Sequence, residues 1–480
     1  MKEISRNLVP TGSTLKTVMK TLNKGVFGAV LIVDDQGKMV GLYTDGDVRR
    51  ALLKGGDLDD PVESHMERNF ITGSIHKSRT DNIKLLKENI RHLPILDDKG
   101  CPVDLISWAE MWRIPVMEPS LGGNELKYVS DCITSNWISS QGEYVKSFER
   151  SFSEYMDVEY SLTTSSGTTA LHLSLVSMGI GPGDEVIVPD LTFAASANTV
   201  IHTGAKPVFV DVDKYTWTID PKNIEEKLTK NTRAIMPVHL YGHPCDMDPI
   251  MEIAATHELF IVEDCAEALG AKYKGELVGV FGDIACFSFF SNKTITTGEG
   301  GMVITKSPDL YEKLLIWRDH GMSKARRYWH VVPGYNYRMT NLQAAVGLAQ
   351  LEQIDTFLEQ RQFVSRKYEA GLKDMLEITL PHEMEWAQNT YWLYTILLNK
   401  GSANIDRDDL ILCLENEGIE SRPIFYPLHM QPIYNCSGKE YPIAEEISGR
   451  GISLPSSNSL KKEEIQKVCQ KLKKIFTKGY

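Results

Sequence analysis

The chain has 480 residues, of which 42% are hydrophobic and 24% charged, with a formal net charge of -12. That length suits about three domains, and the composition is that of an ordinary globular protein with ample material for a core. The acidic balance argues against broad binding to nucleic acid or to anionic membranes, which favours basic patches.

Taken in chain order, the opening "MKEISRNLVPTGSTLK" holds no apolar stretch of signal-peptide length. No apolar run approaches the ~20 residues of a membrane span. A first unit is expected over residues 1–112. In it, "FGAVLIVDDQGKMVGLYTDGDVRRAL" reads as strand, turn, strand and helix, and "HLPILDDKGCPVDLISWAEMW" repeats that order. A self-similar β-β-α pair predicts a pseudo-symmetric double module. After a linker near "RIPVMEPSLGGNE" the pattern changes. "GDEVIVPD", "KPVFVDV", "TRAIMPVHL", "LFIVEDCA" and "DIACFSFF" are short continuous apolar runs separated by helical or turn segments. Such runs predict an α/β fold whose mostly parallel sheet is covered on both faces. From about Thr340 the chain turns helical, and an α+β tail follows to Tyr480. The eight cysteines are scattered and none is in CxxC spacing. They read as reduced core residues of a cytosolic protein.

In open α/β sheets, functional residues gather at the carboxyl ends of strands. Three such ends supply polar groups here. "LFIVEDCAEA" ends in Asp264 with Glu267 three residues on, and "DIACFSFFSNK" ends in Ser288 and Lys293. "SLTTSSGTTALHLSL" places Gly167 and Thr168 at the start of an apolar helix, where exposed backbone N–H groups suit a phosphate. A lysine, an acid and a phosphate cradle together match pyridoxal phosphate (PLP). That cofactor needs a lysine to bond its aldehyde carbon and an acid against its pyridine nitrogen. Phe193, after another strand end, is placed to stack on the ring. His239, His320 and His429 share no ligand spacing, so no metal is expected.

From about Pro115 onward the chain resembles the DegT/StrS family of sugar aminotransferases, which are fold-type-I PLP enzymes. The matching stretches are "SSGTTALHLSL", "GPGDEVIVPDLTF", "VHLYGHPCDMD", "VEDCAEALGA", "FSFFSNKTITTGEGG", "GYNYRMTNLQAA" and "GIESRPIFYPLH", in family order. "NWISSQG", "RRYW" and "NYRMTNLQAAVGLAQLE" point to a branch acting on GDP-linked sugars. The resemblance implies a large cofactor-binding domain over 113–350 and a small α+β domain over 351–480. It implies that Lys293 bonds the cofactor, Asp264 meets the ring nitrogen and Glu267 lies near the ring hydroxyl. Gly167, Thr168 and Ser288 would hold the phosphate and Phe193 would stack on the ring. Asn336 would reach into a neighbouring subunit's site, so a homodimer or higher assembly is implied. Arg326, Arg327, Tyr328 and Trp329 would lie near the nucleotide-sugar.

The N-terminal pair resembles CBS modules. "GLYTDGDVRR" carries their ligand pattern at Gly41, Thr44 and Asp47, which implies an adenine or guanine nucleotide with Asp47 on its ribose. The second copy lacks the glycine and carries Glu110 at the acidic position, so one site reads as degenerate. The expected reaction is amination of a nucleotide-linked 4-keto-6-deoxy hexose, with GDP-4-keto-6-deoxy-mannose as the substrate and L-glutamate as the donor, for O-antigen or surface glycan. The alternatives are a 3-keto or a UDP- or dTDP-linked sugar, or a CBS nucleotide sensor on a relic PLP fold.

Overall fold

The computed structural model describes residues 4–24, 28–77, 79–87, 90–107, 114–402, 405–434 and 441–478. They form two compact units, Met1–Ile114 with Leu412–Glu420, and Pro115–Ile411 with Ser421–Tyr480.

In the first unit, strands Leu8–Pro10, Ala29–Val33 and Met39–Thr44 form one sheet, and helix Asp45–Leu53 follows directly. A second sheet repeats that order with Gly73–Ser74, His92–Leu96 and Pro102–Ser107. The two hairpin turns share one chemistry. Asp34 Oδ1 accepts the N–H groups of Gln36 and Lys38. Asp97 Oδ1 accepts those of Lys99 and Cys101. Each turn closes on a glycine in the left-handed region, Gly37 at φ 79° and Gly100 at φ 80°, which a side chain would resist. The helix expected after the second pair, with Glu110, lies outside the described residues.

The second unit is built on a seven-stranded sheet. Its order is Tyr160–Thr164, Gly301–Thr305, Ile284–Ser288, Phe260–Asp264, Thr232–Ile235, Glu185–Pro189 and Lys206–Val210. Only Gly301–Thr305 among these runs antiparallel to its neighbours. Alternate residues enter two separate cores. Val186, Val188, Val262, Ile284 and Val303 pack on one face, and Ile187, Ile261, Ala285, Phe287 and Ile304 on the other. A strand that buries both faces has no polar position to spare, which explains its unbroken apolar runs. Helix Gly167–Ser177 is buried on nearly every side and so carries no polar face. Towards the C-terminus, helices Asn341–Leu351, Ile354–Leu372 and Lys462–Lys478 accompany a four-stranded sheet ordered Ile378–Thr379, Tyr394–Leu398, Gly451–Leu454, Arg422–Pro423. Among the described residues no helix is long and apolar enough to cross a membrane.

Candidate active site

The parallel strands end on one side, and residues at or shortly after their ends line a cavity of about 330 Å³, within the usual range of ligand sites. Helix Gly167–Ser177 begins there. Ser166 is extended, at φ -165° and ψ 165°, and its Oγ accepts the Thr169 N–H at 3.1 Å. In return Thr169 Oγ1 accepts the Ser166 N–H at 3.0 Å. This reciprocal cap fixes the helix start, where the first-turn amides of Gly167 and Thr168 have no acceptor within the helix and favour an anion. Ser288, the last residue of its strand, packs on Gly167: a Cβ built on that glycine would lie 2.7 Å from Ser288 Cβ. Only glycine allows the two elements to close into one cradle.

Asp264 ends the neighbouring strand and is 4% exposed. It accepts the Ser196 hydroxyl at 2.8 Å and the Ala266 N–H at 3.1 Å. Burial raises its pKa, while these bonds and Lys293 oppose the shift. A cation in the cavity would restore the carboxylate. Lys293 Nζ lies 3.7 Å from Glu267 Oε1 and 3.6 Å from the centre of the Trp392 ring. Burial lowers its pKa, and Glu267 and Asp264 pull the other way. Glu267 accepts the Tyr241 N–H at 2.9 Å. Burial pushes its pKa up to about 7 against the pull of Lys293. Phe193, 58% exposed, lines the cavity as an open ring. Tyr241, held in the left-handed region at φ 53°, stacks on Phe425 and Trp392, and the Phe425 ring lies 5.8 Å from that of Phe193. A buried amine, a buried carboxylate and a glycine-opened anion cradle around one cavity suit the aldehyde, ring nitrogen and phosphate of PLP.

Residues 119–473 match the DegT/DnrJ/EryC1/StrS aminotransferase family. This chain belongs to that family. Residues 4–54 match the CBS domain. The chain is 48% identical to GDP-perosamine synthase of Escherichia coli O157:H7 over 367 residues, 76% of this chain and 100% of that protein. It is 47% identical to GDP-perosamine synthase of Caulobacter vibrioides over 77% of this chain and 100% of that one. A putative sugar aminotransferase from Streptococcus pneumoniae, solved in its PLP form, superposes with a TM-score of 0.72 at 31% identity, over 76% of this chain and 99% of that one. The chain is therefore a PLP-dependent sugar aminotransferase with a CBS domain at its N-terminus.

In this DegT/DnrJ/EryC1/StrS aminotransferase, Gly167, Thr168, Phe193, Asp264, Glu267, Ser288 and Lys293 all line the one cavity. The other expected site residues stand elsewhere. Asn336 Oδ1 accepts from Arg338 Nε at 3.0 Å, and it is not part of the cavity lining of its own chain. Arg326 lies over the Trp329 ring and Arg327 over the Tyr328 ring, on an exposed segment. Thr44 caps helix Asp45–Leu53, and its N–H and hydroxyl both donate to Asp47 Oδ2, at 2.8 and 2.6 Å. Arg50 holds Asp47 Oδ1.

The three histidines are engaged structurally. His239 Nδ1 accepts the Cys245 N–H at 3.0 Å, and its other nitrogen faces Glu263 at 3.1 Å. Glu263 also accepts the N–H groups of Gly279, Phe281 and Gly282. His239, Glu263 and Cys265 lie close enough to hold an ion, yet these bonds already use the ligand atoms of His239 and Glu263. His429 Nδ1 is 2.6 Å from Asp190 Oδ2, and His320 Nε2 is 3.3 Å from Arg338 Nη2. The sequence reading passed over Ser196, Tyr241 and Trp392. Ser196 stands in "LTFAASAN", in the first turn of helix Ala195–His202, where a hydroxyl among small residues soon after a strand is the available signal.

Gly167→Ala tests the cradle. Its Cβ would force Ser288 and the helix start apart, and overpacking of this kind costs about 1–3 kcal/mol. The expected result is PLP affinity weakened by at least about fivefold, read by titrating the cofactor into the unloaded protein. An unchanged affinity would remove Gly167 from the phosphate site.

Proposed function

We propose that this enzyme aminates the 4-keto carbon of a 6-deoxy hexose carried on GDP, GDP-4-keto-6-deoxy-mannose, with L-glutamate as donor, in the supply of O-antigen or another surface glycan. The observation that carries the reading is the convergence of Lys293, Asp264 and the Gly167 helix start on one cavity. The choice of sugar draws its support from the relatives named GDP-perosamine synthase, matched over their whole length. Bound PLP supplies an electron sink for the carbon that loses its proton. Lys293 Nζ would hold the cofactor covalently and, when free, would take that proton as the neutral amine and return it as the ammonium. Asp264 holds a proton on the ring nitrogen, and Ser196 and the Ala266 N–H aim its oxygens. Gly167, Thr168 and Ser288 would hold the phosphate, Phe193 would stack on the ring and Glu267 would lie near its hydroxyl. Asn336 serves the neighbouring subunit of a homodimer, and Arg326, Arg327, Tyr328 and Trp329 meet the nucleotide-sugar, where arginine suits a diphosphate. The chain then divides into a CBS pair over 1–112, a large domain over 113–350 and a small domain over 351–480, and it works in the cytosol.

Purified protein given PLP, L-glutamate and a panel of nucleotide keto-sugars tests this. The GDP-linked 4-keto-6-deoxy sugar should yield 2-oxoglutarate and the 4-amino sugar, both read by mass spectrometry. Turnover confined to a 3-keto sugar, or to UDP- or dTDP-linked substrates, would overturn the substrate. Nucleotide binding without cofactor absorbance would favour the sensor reading instead.

The N-terminal pair takes an adenine or guanine nucleotide at Thr44 and Asp47 in this account. Coupling of such a site to another is typically about 1–3 kcal/mol, a 5- to 150-fold change in affinity. Calorimetric titration of both nucleotide types into the full chain should show binding, and Asp47→Ala should lose it. Asp47 also completes the Thr44 cap, so Asp47→Ala must be checked for folding by circular dichroism. No binding to the wild-type chain would leave Asp47 with its capping role alone.

A further inference from the structure

We propose that Arg361 and Trp392 are positioning residues for Lys293: Arg361 anchors the Trp392 backbone, and Trp392 covers the lysine amine and ties down the chain beside it. The proposal rests on Lys293 being the reacting amine, and it concerns two residues outside the sequence motifs that mark the site.

Arg361 sits on helix Ile354–Leu372 and is 1% exposed. Its Nη1 donates to the Trp392 carbonyl at 2.8 Å and to the Tyr391 carbonyl at 3.4 Å. Its Nε and Nη2 find no hydrogen-bond partner among the described residues. Burial alone pulls its pKa down to about 9, with no carboxylate offsetting the shift. A buried guanidinium with three of its five N–H donors unused is costly, and a methionine would fill similar space without that cost. Its bonds to the Tyr391 and Trp392 carbonyls, which a methionine could not make, account for its presence.

The residue it holds makes two contacts with the lysine segment. The Trp392 ring centre lies 3.6 Å from Lys293 Nζ, a short cation–π distance. Its indole N–H donates to the carbonyl of Asn292, the residue before the lysine, at 2.7 Å. Trp392 also stacks on Tyr241, at 13° between planes, and Tyr241 donates its N–H to Glu267. The amine is thus walled by an aromatic ring on one side and Glu267 on another. Burial and three charged groups set its charge. Glu267 and Asp264 favour the ammonium, while burial and the positive charge of Arg361 favour the neutral amine. The neutral form is the one that takes a proton from substrate. Arg361 therefore acts through structure, by fixing Trp392, and through charge, by opposing a second cation nearby.

The test is reductive methylation of the full chain, resolved from its cofactor, with Lys293 followed by peptide mass spectrometry across pH. It reads the amine directly and does not depend on turnover, so a failed substrate assay leaves it interpretable. In Arg361→Gln the pH midpoint of Lys293 labelling should move up, because a positive charge that favours the neutral amine is gone. Trp392→Leu should label several-fold faster at every pH, because the covering ring is gone. A folded Arg361→Gln with the wild-type midpoint would overturn the charge role. If Arg361→Gln does not fold, Trp392→Leu decides: wild-type labelling there would overturn the proposal, and faster labelling would support it.

Discussion

Lys293→Ala should fold, load PLP weakly and lose transamination by at least about 10³-fold, since a proton-transferring group contributes about 10²–10⁴-fold and the covalent hold on the cofactor is lost as well. The fold should survive because the backbone bond of residue 293, its N–H to the Phe290 carbonyl at 2.9 Å, does not need the lysine side chain. Its Nζ meets Glu267 and the Trp392 ring, and no strand or helix cap depends on it. Removing the ammonium also removes the group that pulls the Glu267 pKa down, so Glu267 should protonate at higher pH in this variant. Circular dichroism and single-turnover rates with L-glutamate check both parts. A variant that turns over within tenfold of wild type would place the chemistry on another residue.

Asp264→Asn should fold, keep its cofactor and lose about 10²–10³-fold in rate, the usual cost of deleting one preorganised electrostatic group. The amide has the size of the carboxylate and can still bond Ser196 and the Ala266 N–H. It carries no charge, so it cannot keep a pyridine nitrogen protonated. The loss should therefore appear in kcat far more than in cofactor affinity. Near wild-type single-turnover rates would take Asp264 out of the mechanism. A loss confined to PLP binding would make it a binding residue only.

The residues that the sequence made legible share a physical reason. Each of the central strands shows as a continuous apolar run because it is buried on both faces, and a polar residue that ends such a run stands out. Asp264 and Ser288 are the last residues of their strands, and Lys293 follows within one turn of chain. The paired turns at Asp34 and Asp97 were legible for a local reason too, since an aspartate bonding its own following amides and a glycine at positive φ need no tertiary partner.

The rest needed the folded chain. Trp392 reaches the lysine segment from 100 residues away, and nothing in "NTYWLYTI" sets this tryptophan apart from a core residue. Arg361 lies in a helix rich in charged residues, where a sequence reader expects solvent, yet it is buried. Asp47 shows a different limit. An aspartate at the third position of a helix completes a cap and equally suits a ribose, so the residue type alone does not choose between the two.

Borohydride reduction of the PLP-loaded protein, followed by proteolysis and peptide mapping, tests the central claim most directly. It fixes the cofactor permanently to whichever amine holds it. The label should appear on the peptide containing Lys293 and be lost in Lys293→Ala. Label on any other lysine in the wild-type protein would contradict the assignment of this cavity as the catalytic centre.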